Sequence, residues 1–454
     1  MIDNIFSYSA SLFVILIPLI SALCIIKIDE KNLQLNIKLV SIWSSGFVFA
    51  LTTGLLLFFD DHEAIYYYEY FSLNINRISI YFMEVTAFIT LMCTIIAKNE
   101  IDHDVKKFNI MVMVLESSML MLFSITNILL YSCLLEIIVL AAYFLVGFFS
   151  TKRKYPSKDL IILFSGVIFV ILGTVYIISV TGVREIYVLS KYSLSFNQEL
   201  IFFVMFFMGL YCISGLFPLH LWTADSYPTS VFILLLGAIS LIGGFGMINI
   251  LIPIAKNVYL QVHDYISHIV LISVIYFTLS ASAQRDYQRI LAHISTANIS
   301  VSLMGLFSCH AEGIVGAIYN MMTNSVTITS LLVINDKGLL CSPSLAKISI
   351  IPLLTILSMP LLPLFYGEFL IIYSMLRENL VFGILLCAIL MPGMFFAVKT
   401  FCEQCNIGIE KKISGYDFFY LIPPVVFIVA LGISVTCCST NALWKYVSRI
   451  TGGA

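Results

Sequence analysis

Apolar residues in this chain are gathered into long blocks that follow one another almost from end to end. They lie near residues 6–26, 38–59, 78–97, 108–125, 127–149, 160–180, 198–219, 229–254, 265–283, 289–309, 311–334, 347–376, 379–401 and 417–438. A block of about 18 or more apolar residues can cross a bilayer as a helix. Inside lipid every backbone amide must bond within its own segment, so the blocks are helices; the alternating pattern of barrel strands is absent. The chain therefore reads as an all-α integral membrane protein of about fourteen transmembrane helices. Charged residues make up 11% of it, against about 25% in a soluble domain, so it cannot cover a water-facing surface. No soluble domain fits between two blocks, and 1–454 reads as a single polytopic membrane domain. The weakest division is 108–149, where Asn127 is almost the only polar break.

Lysine and arginine give the orientation. Counting each loop by the span it follows, the odd loops hold seventeen of the 24 basic residues, among them Lys106, Lys107 and the run Lys152-Arg153-Lys154. Odd loops are expected in the cytoplasm and both termini outside; termini on the same side fit an even number of spans. The N-terminus, Met1-Ile2-Asp3-Asn4, has no basic region before its apolar stretch and reads as the first span rather than a cleaved signal. A net charge of −2 gives nucleic acid no basic patch to bind.

Two spans are interrupted deep in apolar sequence. Span seven carries Gly215-Leu216-Phe217-Pro218, and span twelve carries Met359-Pro360-Leu361-Leu362-Pro363. Proline removes an amide donor and clashes with the preceding turn, so Pro218, Pro360 and Pro363 are expected helix breaks. The breaks are five spans apart. This predicts two five-helix repeats, 108–254 and 265–401, each broken at its fourth helix. An odd number of spans per repeat inverts them in the membrane, a pattern that points to transport. Residues 1–107 form N-terminal helices before them, and 417–454 a last helix and tail.

An ionisable group at mid-bilayer costs at least about 2.5–3.5 kcal/mol, which makes it a candidate functional residue. Glu136 lies in the middle of span five with no basic residue within a helical turn, and Glu368 follows the break in span twelve. Such a carboxylate either holds a proton or pairs with a cation on another helix. His220, after Pro218, and His293, opening span ten, are further proton-carrying candidates. Glu84 and Glu116 lie nearer span ends and read as groups that reach the headgroups or pack locally; Asp225 reads as a helix cap. Eleven scattered cysteines read as small apolar residues, and the pair Cys402 and Cys405 lacks a second ligand pair, so no metal is expected. Phosphate-binding, dinucleotide, serine-nucleophile and haem motifs are absent, and no cofactor is expected.

These residues resemble a known family. The stretch 127–143 around Tyr131 and Glu136 is similar to the fifth helix of antiporter-like proton-translocating membrane subunits. Phe217-Pro218-Leu219-His220-Leu221-Trp222-Thr223-Ala224-Asp225-Ser226-Tyr227-Pro228 resembles their broken seventh helix and the loop after it. Gln284-Arg285-Asp286-Tyr287-Gln288-Arg289-Ile290-Leu291-Ala292 resembles their signature before helix ten, and Tyr366-Gly367-Glu368-Phe369 their twelfth helix. Residues 225–228 and the surroundings of Glu136 are similar to the D-type membrane component of multisubunit sodium/proton antiporters. Glu368 is similar instead to the M-type membrane subunit of respiratory complex I (NADH:quinone oxidoreductase).

The resemblance implies proton or sodium/proton translocation inside an assembly of several membrane subunits, in the inner membrane of a bacterium. It implies no catalysis by this chain alone. Only Glu136 and Glu368 carry over by identity from the family's chain of charged groups. The helix-seven lysine falls on Ile213 and the helix-eight lysine on Leu241; the helix-eleven positions, usually basic, fall near Asn324 and Ile328. A complete lysine-linked pathway is therefore absent. The alternative is a degenerate paralogue that fills a structural place in the assembly without conducting ions.

Overall fold

The computed structural model describes residues 2–58, 64–67, 72–149, 160–223, 227–336, 343–406 and 423–431. Among these, helix dominates. The first half comprises α1 (Ile2–Lys27), α2 (Glu30–Phe58), α3 (Arg77–Glu100), α4 (Val105–Leu122), α5 (Ile128–Phe149), α6 (Leu160–Thr181), the single turn α7 (Ile186–Leu189) and α8 (Phe196–Ile213). Then α9 (Thr229–Ile233), α10 (Ser240–Gly246) and α11 (Ile252–Ile254) are joined by two π-helical stretches, Leu234–Ile239 and Met247–Leu251, into one helix over Thr229–Ile254. After it come α12 (Lys256–Ala283), α13 (Tyr287–Leu306), α14 (Ala311–Asp336), α15 (Pro343–Ile356), α16 (Pro363–Glu378) and α17 (Leu380–Asn406). Among the described residues, eight helices are long and apolar enough to cross a membrane. Residues 423–431, within the expected fourteenth span, are helical; the rest of that span, the run Lys152-Arg153-Lys154 and Asp225 lie outside the described residues.

Local chemistry sets several helix starts. Asn76 accepts from the Ser79 amide at 2.7 Å to cap α3, and Asp286 accepts from the Gln288 amide at 3.1 Å to cap α13. The thin polar break at Asn127 is a cap as well, its side chain accepting from the Leu129 amide at 3.0 Å. The turn it belongs to is tied down by 184–186: the Ile128 amide donates to Arg184 and the Ile186 amide to Thr126. The helix over Thr229–Ile254 borrows its cap. Pro228 precedes it, and the Glu100 carboxylate at the end of α3 accepts from the amides of Thr229 (2.6 Å) and Ser230 (2.8 Å). A carboxylate on those first free amides also meets the positive end of the helix dipole.

The structure departs from the hydropathy reading in three places. Strands β1 (Ala64–Tyr67) and β2 (Ser72–Ile75) pair antiparallel between α2 and α3, in a tyrosine- and isoleucine-rich loop of β-forming residues. Helix α12, the expected ninth span, begins at Lys256, nine residues before the apolar block at 265, because helix continues through polar residues such as Gln261, His263 and Asp264 that a hydropathy reading leaves out. The π-helical stretches have no signature in apolar periodicity.

The chain forms two compact units. The first comprises residues 1–213, 227–238 and 245–255. Its core includes Phe82, Phe123 and Phe245, with ring centroids 4.8–5.6 Å apart. In it α6 lies against α8 through glycine: a Cβ on Gly209 would stand 2.6 Å from the Gly166 carbonyl oxygen. Helices in lipid associate by such close backbone approach, since no hydrophobic drive separates them from the tails.

The second unit comprises residues 214–226, 239–244 and 256–454. Here α14 packs on α13 and α16. A Cβ on Gly305 would meet the Gly313 carbonyl oxygen at 2.6 Å, and one on Gly316 the Gly367 carbonyl oxygen at 2.7 Å.

Both interrupted spans stop ahead of the prolines that mark them. Helix α8 ends at Ile213; after it Gly215 takes φ +69°, Phe217-Pro218 is a cis peptide, and a short 3-10 turn covers Leu221–Thr223. Between α15 and α16 the chain is irregular from 357 to 362, with Ser358 and Leu361 at positive φ, and Pro363 opens α16. Proline suits that first helical position because its missing amide has no partner there in any case.

Candidate functional site

In the second unit, polar side chains fill the contact between α13 and α14. On α13, Ser295, Asn298 and Ser302 recur at three- and four-residue spacing and so share one helix face. Facing them on α14 are Asn320 and Asn324. The Asn324 amide donates to Ser295 Oγ at 3.1 Å, and the Asn298 amide donates to Asn324 Oδ1 at 3.1 Å. The Asn320 amide donates to the Asn298 carbonyl and to Ser302 Oγ, both at 2.9 Å. All five side chains are buried. Among the described residues, Asn298 Oδ1 and Asn320 Oδ1 have no partner, leaving two acceptors open inside the seam. The serine and threonine hydroxyls of α14 are quenched locally: Thr323, Ser325, Thr327, Thr329 and Ser330 each donate to the carbonyl one turn back.

A different face of α13 carries His293, which meets His220 with ring centroids 6.4 Å apart. The Arg289 carbonyl lies 2.7 Å from His293 Nδ1. A carbonyl only accepts, so Nδ1 carries the proton and Nε2 is left as the basic nitrogen of the neutral ring. His220 packs edge-on against Phe277, and its Nε2 is 3.4 Å from the Tyr276 hydroxyl; its Nδ1 has no partner among the described residues. The interruption in span seven places His220 there. Gly215 must be glycine, because its φ is positive and a Cβ would lie 2.5 Å from Thr223 Cγ2.

The carboxylates take four different settings. Glu368, in the first turns of α16, is buried, and its Oε1 has no partner among the described residues. In the first unit Glu116 is fully buried on α4, accepting from Ser45 (3.0 Å) on α2 and Thr90 (2.8 Å) on α3. Glu84, also buried, accepts from Thr53 at 3.3 Å. Both pack inside the first unit. Glu136 is exposed, halfway along α5, on a face it shares with the exposed Cys133, Ile137, Leu140 and Phe144.

Of the sequence candidates, the structure brings His220 and His293 together. It shows no hydrogen bond linking either of them to Glu368. Ile213, Leu241 and Ile328, at the positions where the resemblance expects cations, are buried apolar residues. Asn324, at another such position, is the centre of the asparagine seam. The seam itself was missed. Its signal was present as asparagine and serine at helical spacing within apolar spans, but uncharged side chains do not stand out against hydropathy.

The family model for the transmembrane part of NADH:quinone oxidoreductase and Mrp antiporter subunits matches residues 126–392, which include Glu136, both interruptions, the histidine pair and the seam. The chain belongs to that family. Among relatives of this antiporter-family chain, NADH-quinone oxidoreductase subunit M of Rickettsia typhi is 28% identical over 469 residues, covering 94% of each chain. NADH-ubiquinone oxidoreductase chain 4 of Marchantia polymorpha is 24% identical over 404 residues, covering 82% of this chain and 81% of its own. In solved structures, a chain of respiratory complex I from Thermus thermophilus superposes with a TM-score of 0.85 at 17% identity, covering 97% of this chain and 99% of that one. A chain of the Mrp complex from Dietzia sp. DQ12-45-1b does so with a TM-score of 0.80 at 14% identity, covering 98% of each.

The antiporter-family fold is therefore that of a multi-pass integral membrane protein, as the resemblance implied. The Rickettsia relative carries the M-type name that Glu368 resembles, a slightly different branch from the D-type antiporter component that residues 225–228 resemble.

Proposed function

We propose that this antiporter-family chain is an M-type membrane subunit of a proton-translocating assembly related to complex I and Mrp. It resides in the inner membrane of a bacterium with both termini outward. The lysine and arginine distribution supports that orientation, and the two interrupted helices support a division into inverted repeats over 108–254 and 265–401. The relatives named subunit M match along nearly their whole length.

The observation that carries the reading is the match to relatives named subunit M, along 94% of the chain for that of Rickettsia typhi. Glu136 is exposed on α5. That face turned to lipid would leave the chain a structural role only, so conduction requires a neighbouring subunit over it. An isolated carboxylate on an otherwise apolar face of a membrane helix costs at least about 2.5–3.5 kcal/mol against lipid. A neighbouring membrane subunit that supplies a cation, a donor or water removes that cost. Glu136 thus serves as the proton-handling group at a subunit boundary. Glu368, His220 and His293 are the proton-carrying groups of the second unit, and the open acceptors of Asn298 and Asn320 receive water there.

A second reading has its own observation: Ile213, Leu241 and Ile328 are buried apolar residues that cannot relay a proton. On that reading the chain is a structural subunit. Glu136→Gln in the intact assembly separates the two. Proton or sodium flux falling at least about tenfold, with all subunits retained, supports conduction. Unchanged flux in a complete assembly leaves the structural role.

A further inference from the structure

A cluster of ligating side chains lies in the second unit, apart from the seam and the histidine pair. His263 and Asp264 stand in the first turns of α12, ahead of the apolar block at 265. Glu378 is the last residue of α16, and His310 lies in the turn between α13 and α14. His263 Nδ1 is 3.6 Å from Asp264 Oδ1 and 3.8 Å from Glu378 Oε1. One ligand atom from each of these three residues lies within 4.8 Å of the others. The separations are too long for hydrogen bonds. His263 Nδ1 is buried and has no hydrogen-bond partner among the described residues. An imidazole nitrogen without a hydrogen bond, facing two carboxylates at ion-pair distance, can be joined to them by a proton on the ring or by a cation held between them.

We propose that His263, Asp264 and Glu378 bind a divalent transition-metal ion, with zinc the ion their chemistry fits. Bonds of about 2.0–2.2 Å to nitrogen and oxygen set tetrahedral ligand atoms about 3.4 Å apart. The two separations from His263 need to close by a few tenths of an ångström, and the one between Asp264 and Glu378, within 4.8 Å, by up to about 1.4 Å. One imidazole with two carboxylates favours zinc, cobalt or nickel over magnesium and calcium, which prefer all-oxygen shells. Three protein ligands leave a fourth position for water, and Asp264 is exposed, so the site opens to solution. His310 completes it from behind: its Nε2 lies 3.1 Å from Glu378 Oε2, the oxygen turned away from His263, and holds the carboxylate in place. The adjacent guanidinium does not compete, because Arg377 pairs with Glu312 at 3.1 Å. The bound ion ties the start of α12 to the end of α16.

The test uses the full-length chain purified in detergent, stripped with a chelator and titrated with Co²⁺, followed by displacement with Zn²⁺. Visible absorption bands of tetrahedral intensity saturating at one Co²⁺ per chain are expected. His263→Gln and Asp264→Asn should each weaken binding at least about tenfold to a hundredfold. His103→Gln, an exposed histidine between α3 and α4, should leave it unchanged. The variant Asp264→Asn alters an exposed side chain and keeps the test valid if His263→Gln fails to accumulate. Bands that survive both ligand variants, an absence of saturable bands in the parent chain, or displacement by equimolar Ca²⁺ or Mg²⁺ would overturn the proposal.

Discussion

Asn298 donates through its side-chain amide to the side-chain oxygen of Asn324, joining α13 to α14 across a 3.1 Å hydrogen bond inside an otherwise apolar packing. Asn324 passes the polarity on to Ser295, and Asn320 extends it to Ser302. The result is a continuous uncharged polar line through the second unit. Its members orient one another, because each amide has a defined acceptor.

This line makes an energetic prediction. Hydrogen bonds between membrane helices couple by about 0.6 kcal/mol on average and up to about 1.7. A double-mutant cycle of Asn298→Ala and Asn324→Ala, read by denaturant unfolding in detergent, should give a coupling in that range. Additive effects would mean that the two amides act independently.

The glycine contacts predict a contrast between positions. A Cβ on Gly209 would stand 2.6 Å from a backbone oxygen of α6, whereas nothing lies within 4 Å of one on Gly54 in α2. Gly209→Val should destabilise by about 1–3 kcal/mol through forced separation of α6 and α8. Gly54→Ala should be neutral or stabilise by up to about 1 kcal/mol through helix propensity. Thermal unfolding of the two variants in the same detergent checks the difference.

The carboxylate of Glu116 joins α4 to both α2 and α3. In Glu116→Gln the amide oxygen can still accept from one hydroxyl, while the amide nitrogen can donate to the other. Glu116→Leu leaves the Ser45 hydroxyl buried without its partner, at about 1–3 kcal/mol. Unfolding midpoints should therefore follow parent, then Gln, then Leu. Equal losses for Gln and Leu would show that charge, rather than hydrogen bonding, is what this position needs.

The histidine pair predicts a tautomer. With the Arg289 carbonyl on Nδ1, His293 keeps its free base at Nε2 when neutral. Nitrogen NMR of histidine-labelled protein should show the Nδ1-H form for His293. His220→Phe should leave that tautomer unchanged, because the carbonyl belongs to His293's own helix.

Hydropathy made the spans legible because lipid imposes the same requirement on every residue of a crossing helix. Pro218, Pro360 and Pro363 were legible because a missing amide is a local fact. The asparagine seam was not, since it depends on which faces of α13 and α14 meet. The side toward which Glu136 points was also hidden, because the apolar residues around it look alike from lipid or from a neighbour. The strand pair Ala64–Tyr67 and Ser72–Ile75 lay below the resolution of long apolar windows. The metal-binding cluster joins residues up to 115 positions apart, from His263 to Glu378, so no spacing motif announces it.

The carboxylate of Glu100 reaches the first amides of a helix that begins 129 residues later in the chain. Proline stands at the cap position of Thr229–Ile254 and gives it no side-chain cap bond. The seal comes from the end of α3, so the start of this helix is fixed by tertiary contact rather than by its own sequence, and a chain deprived of Glu100 would leave those first amides without their carboxylate.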